Sequence, residues 1–170
     1  MIILKTAILL IILVFSFIIG NLVSRKYINR VNDLKEIKNA LNMFKTKIKF
    51  TYEPIPEIFY DISKNLKPNI SEIFKKSSID MNNNIMAGEA WKQAISSANT
   101  NLSEEDINIV QGLSKLLGQT DIDGQLSEIE LTNSFLNTQI KKAEIEQEKN
   151  VKLYKTLGLT IGLTVVILLI

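Results

Sequence analysis

Two uninterrupted apolar segments, one at each end of the chain, constrain the fold more than any other feature. The first runs from Thr6 to Val23 without a charged residue, and as a helix it would cover about 27 Å, close to the thickness of the hydrocarbon core of a bilayer. The second, Leu157 to Ile170, would cover only about 21 Å. Counting from Val151 makes it long enough to span if Lys152 and Lys155 extend their amines toward the headgroups. We therefore predict two transmembrane helices.

Each apolar segment has an alternative interpretation. The first could be a cleaved signal peptide, but its apolar core is longer than usual, only Lys5 precedes it, and no small-residue cleavage motif follows. The second could be a membrane-embedded hairpin or an anchor that does not cross. Two spans remain the preferred interpretation.

The basic residues that flank the two spans predict the orientation. By the positive-inside rule, segments rich in Lys and Arg stay in the cytoplasm. We therefore predict a short tail (1–5), a first span (6–23), a cytoplasmic helical domain (24–153) and a second span (154–170), with both termini on the opposite side. The flanking basic residues are Arg25, Lys26, Arg30, Lys149, Lys152 and Lys155.

The middle of the chain has the apolar spacing of helices. From Val31 to Tyr52 the apolar residues recur at alternating steps of three and four, which predicts one helix continuing the first span. Pro54 ends it and Pro56 begins a second helix, to about Leu66. Shorter helices are predicted over 68–81, 86–98 and 103–117, and a last one from about 126 into the membrane. The predicted fold is an all-α six-helix bundle flanked by an N-terminal and a C-terminal transmembrane helix.

Residues inside these helices carry more specific expectations. Met86 and Trp91 should face the core, although tryptophan is also common at binding hot spots. Ser103 and Asp106 have the spacing of a capping box, and Gly118 should close the fifth helix as a left-handed cap.

The composition excludes much chemistry. The chain has neither His nor Cys, so the commonest general base, the commonest metal ligand and any disulfide are absent. No glycine-rich phosphate loop is present, and membrane topology and anionic lipid explain the basic stretch beside the membrane better than nucleic-acid binding does. We expect no enzyme activity, no cofactor, no nucleic acid and no small-molecule substrate.

The charged residues are segregated along the chain. Between Ser24 and Lys49 eight basic residues accompany two acidic ones, and between Ser103 and Glu148 ten carboxylates accompany three lysines. These opposite charges could attract each other within the fold, or present separate faces to lipid and to a partner. The acidic clusters could be solvated helix faces or a negative docking surface. The residues of this predicted partner surface are Glu104, Glu105, Asp106, Glu144, Glu146 and Glu148.

Two short patterns call for an interpretation. Asp121-Ile122-Asp123-Gly124 resembles the start of a calcium loop, but the later positions lack the required Gly and Glu, so a turn in which Asp121 or Asp123 caps the last helix is preferred. Gly158 and Gly162 have the spacing that lets transmembrane helices approach closely. Ser16 and Gly20 form a similar pair on the first span, so the spans could pack within one chain or across subunits. Chance spacing is the alternative.

Three segments together resemble the stage III sporulation protein AB family over nearly the whole chain. The first is an extended segment closing with two prolines, the second surrounds a tryptophan, and the third is a turn before the last helix. The segments are Lys47–Glu57 with Pro54 and Pro56, Ala87–Trp91 with Gly88 and Glu89, and Leu117–Asp121 with Gly118, followed by Gln125.

The resemblance implies both a fold and a role. It implies a cytoplasmic domain similar to that of the type II secretion F protein, an inner-membrane platform. It further implies a subunit of the secretion-like complex between mother cell and forespore, beside a partner secretion-type ATPase and other channel subunits. We therefore expect an integral membrane platform or adaptor, in contact with lipid, with its domain in the mother-cell cytoplasm. A membrane-anchored dimeric coiled coil for signalling or assembly is the alternative, and a homo-oligomer is possible.

Overall fold

The structure is a computed structural model that describes the backbone of residues 2–51 and 53–169 and the side chains of residues 7–51 and 53–169. Tyr52, in the predicted first helix, and Ile170, at the end of the second apolar segment, lie outside the described residues. The helices are α1 (Ile2–Phe50), α2 (Ile55–Ser63), α3 (Pro68–Asn82), α4 (Ala87–Ser97), α5 (Glu104–Gly112) and α6 (Ile122–Leu169), with a 3₁₀ turn at Leu113–Lys115. The prediction of an all-α fold with six helices and an apolar helix at each end is confirmed.

The helix boundaries follow from local chemistry. Pro54 precedes α2 and Pro68 occupies the first turn of α3, where the missing N–H of proline costs no hydrogen bond. The predicted capping box before α5 is confirmed: the Ser103 hydroxyl accepts from the backbone N of Asp106, and the Asp106 carboxylate accepts from the backbone N of Ser103. Gly118 has φ +71°, which allows the sharp turn toward α6.

Two predictions about these helices are wrong. Met86 is 71% exposed, because it is the N-cap of α4 and lies outside the helical repeat that directs side chains inward. The fifth helix ends at Gly112, five residues before the predicted end, and continues as the 3₁₀ turn. Glycine weakens a helix because it gains conformational freedom when released.

The described chain forms two compact units. The apolar unit consists of Met1–Val31 and Lys142–Ile170, and the core unit of Asn32–Lys141. Since α1 and α6 cross these boundaries, each helix contributes one segment to each unit.

Four aromatic side chains form the centre of the core unit. Phe44, Phe59, Phe74 and Trp91 are fully buried, and the centroids of neighbouring rings lie 5.0–5.5 Å apart. Most of these rings meet edge to face, which is a favoured geometry for aromatic pairs. The cluster joins α1, α2, α3 and α4, so these helices share one core.

Candidate functional site

The Gly118 turn, which belongs to the third family-like segment, contacts the other two segments. A Cβ built on Gly118 would lie 3.1 Å from the Cβ of Ala87 and 3.9 Å from Cδ1 of Ile55. Ile55 lies between Pro54 and Pro56, and Ala87 opens α4. The three segments therefore meet at one place in the core unit, anchored by the buried Leu117.

Gly88 permits the close approach of α4 to the 3₁₀ turn. A Cβ at this position would lie 2.2 Å from the backbone oxygen of Ser114, a distance no side chain can occupy. The neighbouring Glu89 is exposed and accepts a hydrogen bond from Gln93 on the same helix (2.9 Å). Gly88 therefore has a packing role, while Glu89 is available to solvent.

The start of α6 is fixed by Asp121 and Gln125. The backbone N of Gly124 donates to Oδ1 of Asp121 (2.9 Å), and Nε2 of Gln125 donates to the backbone oxygen of Thr120 (3.2 Å). The prediction that an aspartate of this turn caps the last helix is confirmed for Asp121. Both residues stabilise the turn that Gly118 begins.

Trp91 is a buried anchor of the core unit. Its side chain is fully buried and its Nε1 donates to the backbone oxygen of Val110 (2.8 Å). A buried indole needs a partner for its N–H, and here that partner belongs to α5. The prediction of a core tryptophan is confirmed.

An ion-pair cluster joins the C-terminal end of α1 to the extended segment and to α2. Nζ of Lys47 lies 2.9 Å from Asp61 and 3.1 Å from Glu53, and Nζ of Lys64 lies 2.9 Å from Asp61. Hydrogen bonds from Lys64 and from Lys47 lower the pKa of Asp61 from 3.8 to about 2. Because Lys47 contacts carboxylates on both sides of Pro54, the cluster holds the extended segment beside α2.

We expect the Asp61 carboxyl to titrate near pH 2, measured by its ¹³C chemical shift in the detergent-solubilised chain. Its pKa is depressed in the folded state, so its contribution to stability is complete above the ordinary value of 3.8 and is lost as the pH falls toward about 2. Lys64→Met removes the largest cause of the shift and should raise this pKa. Titration at the ordinary value in the unmodified chain would contradict the cluster.

The predicted acidic surface is divided by the structure. Glu104 and Glu105 are exposed in the first turn of α5, in the core unit. Asp106 is fully buried because its carboxylate completes the capping box, so its assignment to an exposed surface is wrong. Glu144, Glu146 and Glu148 are exposed on the part of α6 that belongs to the apolar unit.

The turn that presents Glu104 and Glu105 is held in place. Oδ2 of Asp33 on α1 accepts from both the backbone N and the Nδ2 of Asn101, at 2.9 and 3.0 Å. With the capping box at Ser103, these bonds fix the segment leading into α5. The two carboxylates therefore project from a fixed helix N-terminus, whose dipole favours negative charge.

In the apolar unit, the small residues of α1 and α6 face each other. A Cβ on Gly20 would lie 2.6 Å from the backbone oxygen of Tyr154 and 3.1 Å from Cα of Gly158, and one on Gly162 would lie 3.1 Å from Cβ of Ser16. The Ser16 hydroxyl donates to the backbone oxygen of Gly158 (2.6 Å). The two helices therefore pack backbone to backbone within one chain.

Two further contacts join the same helices. The rings of Tyr27 and Tyr154 stack with centroids 5.8 Å apart, and Nη1 of Arg30 lies 2.6 Å from Oε2 of Glu146. The residue pairs run in opposite directions along the two helices, so the pair is antiparallel. The Arg30 side chain is only 14% exposed, so its ion pair is partly shielded from water.

The segregated charges attract each other in both units. Arg30 pairs with Glu146 in the apolar unit, and Nζ of Lys45 lies 2.6 Å from Glu130 in the core unit, where it lowers the pKa of Glu130. Of the two possibilities that the charge pattern left open, attraction within the fold is present. The second possibility, a docking surface for a partner, applies to the exposed Glu104 and Glu105.

Several of these contacts were not predicted from the sequence. Ser24, 1% exposed, extends the Ser16–Gly20 spacing by four more residues and could have been found from that period. Asp33–Asn101 and Tyr27–Tyr154 join residues far apart in the chain without a local pattern, so no sequence signal indicated them.

By length and composition, α1 and α6 are each able to cross a membrane, and 11% of each apolar window is buried in the protein. These two helices are consistent with a membrane protein.

The profile of the family described as stage III sporulation protein AB matches residues 5–170. Stage III sporulation protein AB of Bacillus subtilis (strain 168) is 25% identical over 146 residues, which cover 84% of this chain and 85% of that relative. A solved structure of stage III sporulation protein AB (SpoIIIAB) is similar with a TM-score of 0.65 at 21% identity, covering 71% of this chain and 98% of the solved chain. At that identity the structural likeness establishes the fold. Because the family profile extends from the first apolar segment to the end of the second, the chain belongs to the stage III sporulation protein AB family and has a role in the sporulation complex.

Proposed function

We propose that this protein is a membrane platform or adaptor subunit of a secretion-like complex that joins mother cell and forespore. In this role it couples a partner secretion-type ATPase to the assembly across the membrane. One observation carries the proposal: α1 and α6 are each unbroken helices that contain both an apolar segment and part of the core unit. A movement imposed on the core unit therefore has a helical path to the membrane.

The proposed arrangement places residues 24–153 in the mother-cell cytoplasm and the spans at 6–23 and 154–170. It is supported by exposed cations at the inner end of both apolar segments, which the positive-inside rule assigns to the cytoplasmic side. Near the membrane these cations also attract anionic lipid. They are Arg25, Lys26, Lys149, Lys152 and Lys155.

The proposed role is mechanical and involves no catalysis, cofactor or small-molecule substrate. The chain lacks the side chains that most often act as general base or metal ligand, and Glu104 and Glu105 are exposed to water. General acid–base catalysis needs a reacting group held in a pocket away from bulk water, which an exposed helix turn does not provide. The exposed pair instead suits the recognition of a basic surface.

We place the docking surface for the ATPase at Glu104 and Glu105. The pair is exposed, carries two like charges, and projects from a turn held by the capping box and by Asp33. A preorganised charged surface loses little conformational freedom on binding. The complementary partner surface would carry Lys or Arg.

Pull-down of the partner ATPase with the full-length, detergent-solubilised chain tests this proposal. Reversal of both charges, Glu104→Lys with Glu105→Lys, should weaken binding by roughly tenfold or more, since removing charge complementarity at an interface commonly costs above 1.4 kcal/mol. A matched control, Glu57→Lys with Glu72→Lys, reverses two exposed carboxylates on α2 and α3 and should leave binding unchanged.

The outcomes separate the role from the docking surface. Absence of binding by the unmodified chain would argue against the platform role itself. Binding that survives the Glu104 and Glu105 reversal but is lost in the control would place the docking surface on α2 and α3. Circular dichroism of each variant checks that the helices persist.

The alternative of a dimeric coiled coil has less support. The small-residue face of α6 that could pair two copies, Gly158 and Gly162, is filled by Ser16 and Gly20 of the same chain. A homo-oligomer formed through another face remains compatible with the platform role.

A further inference from the structure

The paired segments of α1 and α6 in the apolar unit contact each other in four chemically different ways. Backbones touch at Gly20 and Gly158, the Ser16 hydroxyl bonds the Gly158 carbonyl, and beyond them lie an aromatic stack and an ion pair. In lipid, close packing and interhelical hydrogen bonds are the forces that hold helices together. Together they identify the pair as a single structural element.

Separation of the two helices would disrupt all of these contacts. The space beside Gly20 and Gly158 is filled by the opposite backbone, and parting the helices would leave a groove without van der Waals partners. The Ser16 hydroxyl would lose its 2.6 Å bond to the other helix. Opening of the pair is therefore opposed along its length.

Sliding is opposed by a different set of contacts. A slide of one helical turn, about 5.4 Å, would bring Ser24 opposite Gly158, so small residues would still face each other. The same slide would draw Arg30 away from Glu146 and Tyr27 away from Tyr154, which are now in contact. The polar and aromatic contacts thus fix the register that the glycines alone would allow to vary.

The core unit holds the same two helices in register independently. Lys45 on α1 pairs with Glu130 on α6 at 2.6 Å, and Nδ2 of Asn133 donates to Oδ1 of Asn42 at 3.0 Å. These contacts would also break if α1 moved along α6. Both units therefore oppose the same motion.

We infer that α1 and α6 form a rigid antiparallel pair in the apolar unit, which transmits movement as one body and neither opens nor slides. The inference rests on the proposed platform function, because it states how such a platform passes movement to the membrane. Because the helices neither separate nor slide, the movement that reaches the membrane is a displacement or rotation of the whole pair.

Spin-label distances test the inference, and the absence of native cysteine makes every introduced thiol unique. Exposed Lys26 and Lys152, one on each helix, are changed together to cysteine in the full chain, labelled with nitroxides and reconstituted in lipid nanodiscs. The double variant Lys149→Cys with Lys155→Cys places both labels on α6 and controls for motion of the labels.

A single narrow distance is expected for the Lys26 and Lys152 pair, alone and with the sporulation ATPase in ATP or ADP. A shift near the 5.4 Å rise of one helical turn, or a second longer distance, would overturn the inference if the control pair is unchanged. Failure of the platform role is seen separately, as absence of co-elution with the ATPase. The distance distribution of the chain alone then still decides whether the pair is rigid.

Discussion

Replacing Trp91 with alanine should lower the free energy of unfolding by about 3–5 kcal/mol, the largest loss we expect from a single substitution in the core unit. The indole is fully buried, contacts the rings of Phe59 and Phe74, and donates its N–H to Val110. Its removal leaves a cavity where α2, α3 and α4 meet and a carbonyl without its donor. For a chain of this length the melting temperature, followed by circular dichroism in detergent, should fall by roughly 10 °C.

Two variants serve as controls for the Trp91 prediction. Met86→Ala truncates a side chain that is 71% exposed on the same segment and should change stability by less than about 0.5 kcal/mol. Trp91→Phe keeps a ring but loses the hydrogen bond to Val110, so its effect should lie between the two. A melting temperature unchanged by Trp91→Ala would mean that the aromatic cluster does not hold the core unit together.

The sequence was most informative where the chemistry is local. Pro54, Pro68 and the Ser103–Asp106 box mark helix boundaries because each acts within one turn of the backbone. The apolar spacing in α1 likewise predicted an inward stripe, and Leu34, Ile37 and Phe44 are buried. Length and hydropathy were sufficient to predict the apolar end segments, because a bilayer span requires little more.

Prediction failed where a residue's surroundings depend on contacts distant in sequence or on its exact place at a helix end. Met86 continues the apolar pattern, yet as an N-cap it points into solvent. Asp106 belongs to a run of acidic residues, but the capping box buries it. In both cases a shift of one position at a helix terminus decides exposure, and helix ends are the least certain part of a sequence-based assignment.

The geometry around Gly118 also gives the family-like segments a physical meaning that the sequence lacked. Gly88 is needed because α4 approaches the 3₁₀ turn closely at this position. Gly118 is needed because its backbone has a positive φ. Asp121 and Gln125 then fix the start of α6. These residues thus support the shape of the core unit, whereas Glu89, Glu104 and Glu105 are exposed to solvent.

Gly158→Leu should separate α1 from α6, the second large effect we expect. A Cβ at this position would lie 2.9 Å from the backbone oxygen of Ser16 and 3.1 Å from Cα of Gly20, so a leucine fits only if the helices move apart. Overpacking of this kind costs about 1–3 kcal/mol, and loss of the Ser16 hydrogen bond adds about 0.6 kcal/mol. Together these reduce the paired population by roughly tenfold or more.

Disulfide formation between Ser16→Cys and Gly162→Cys measures that population directly. The Cβ positions lie 3.1 Å apart, a few tenths of an ångström below the range of about 3.5–4.5 Å for disulfides, so the paired helices should cross-link after a slight adjustment. Because Ser16→Cys already removes the hydroxyl, only the overpacking term applies here, and adding Gly158→Leu to the cysteine pair should slow cross-linking by roughly tenfold. The matched control, Thr160→Leu, adds the same side chain at an exposed position on α6 and should leave the rate unchanged. Equal rates in the two leucine variants would show that the close contact of Gly158 with α1 does not hold the pair together.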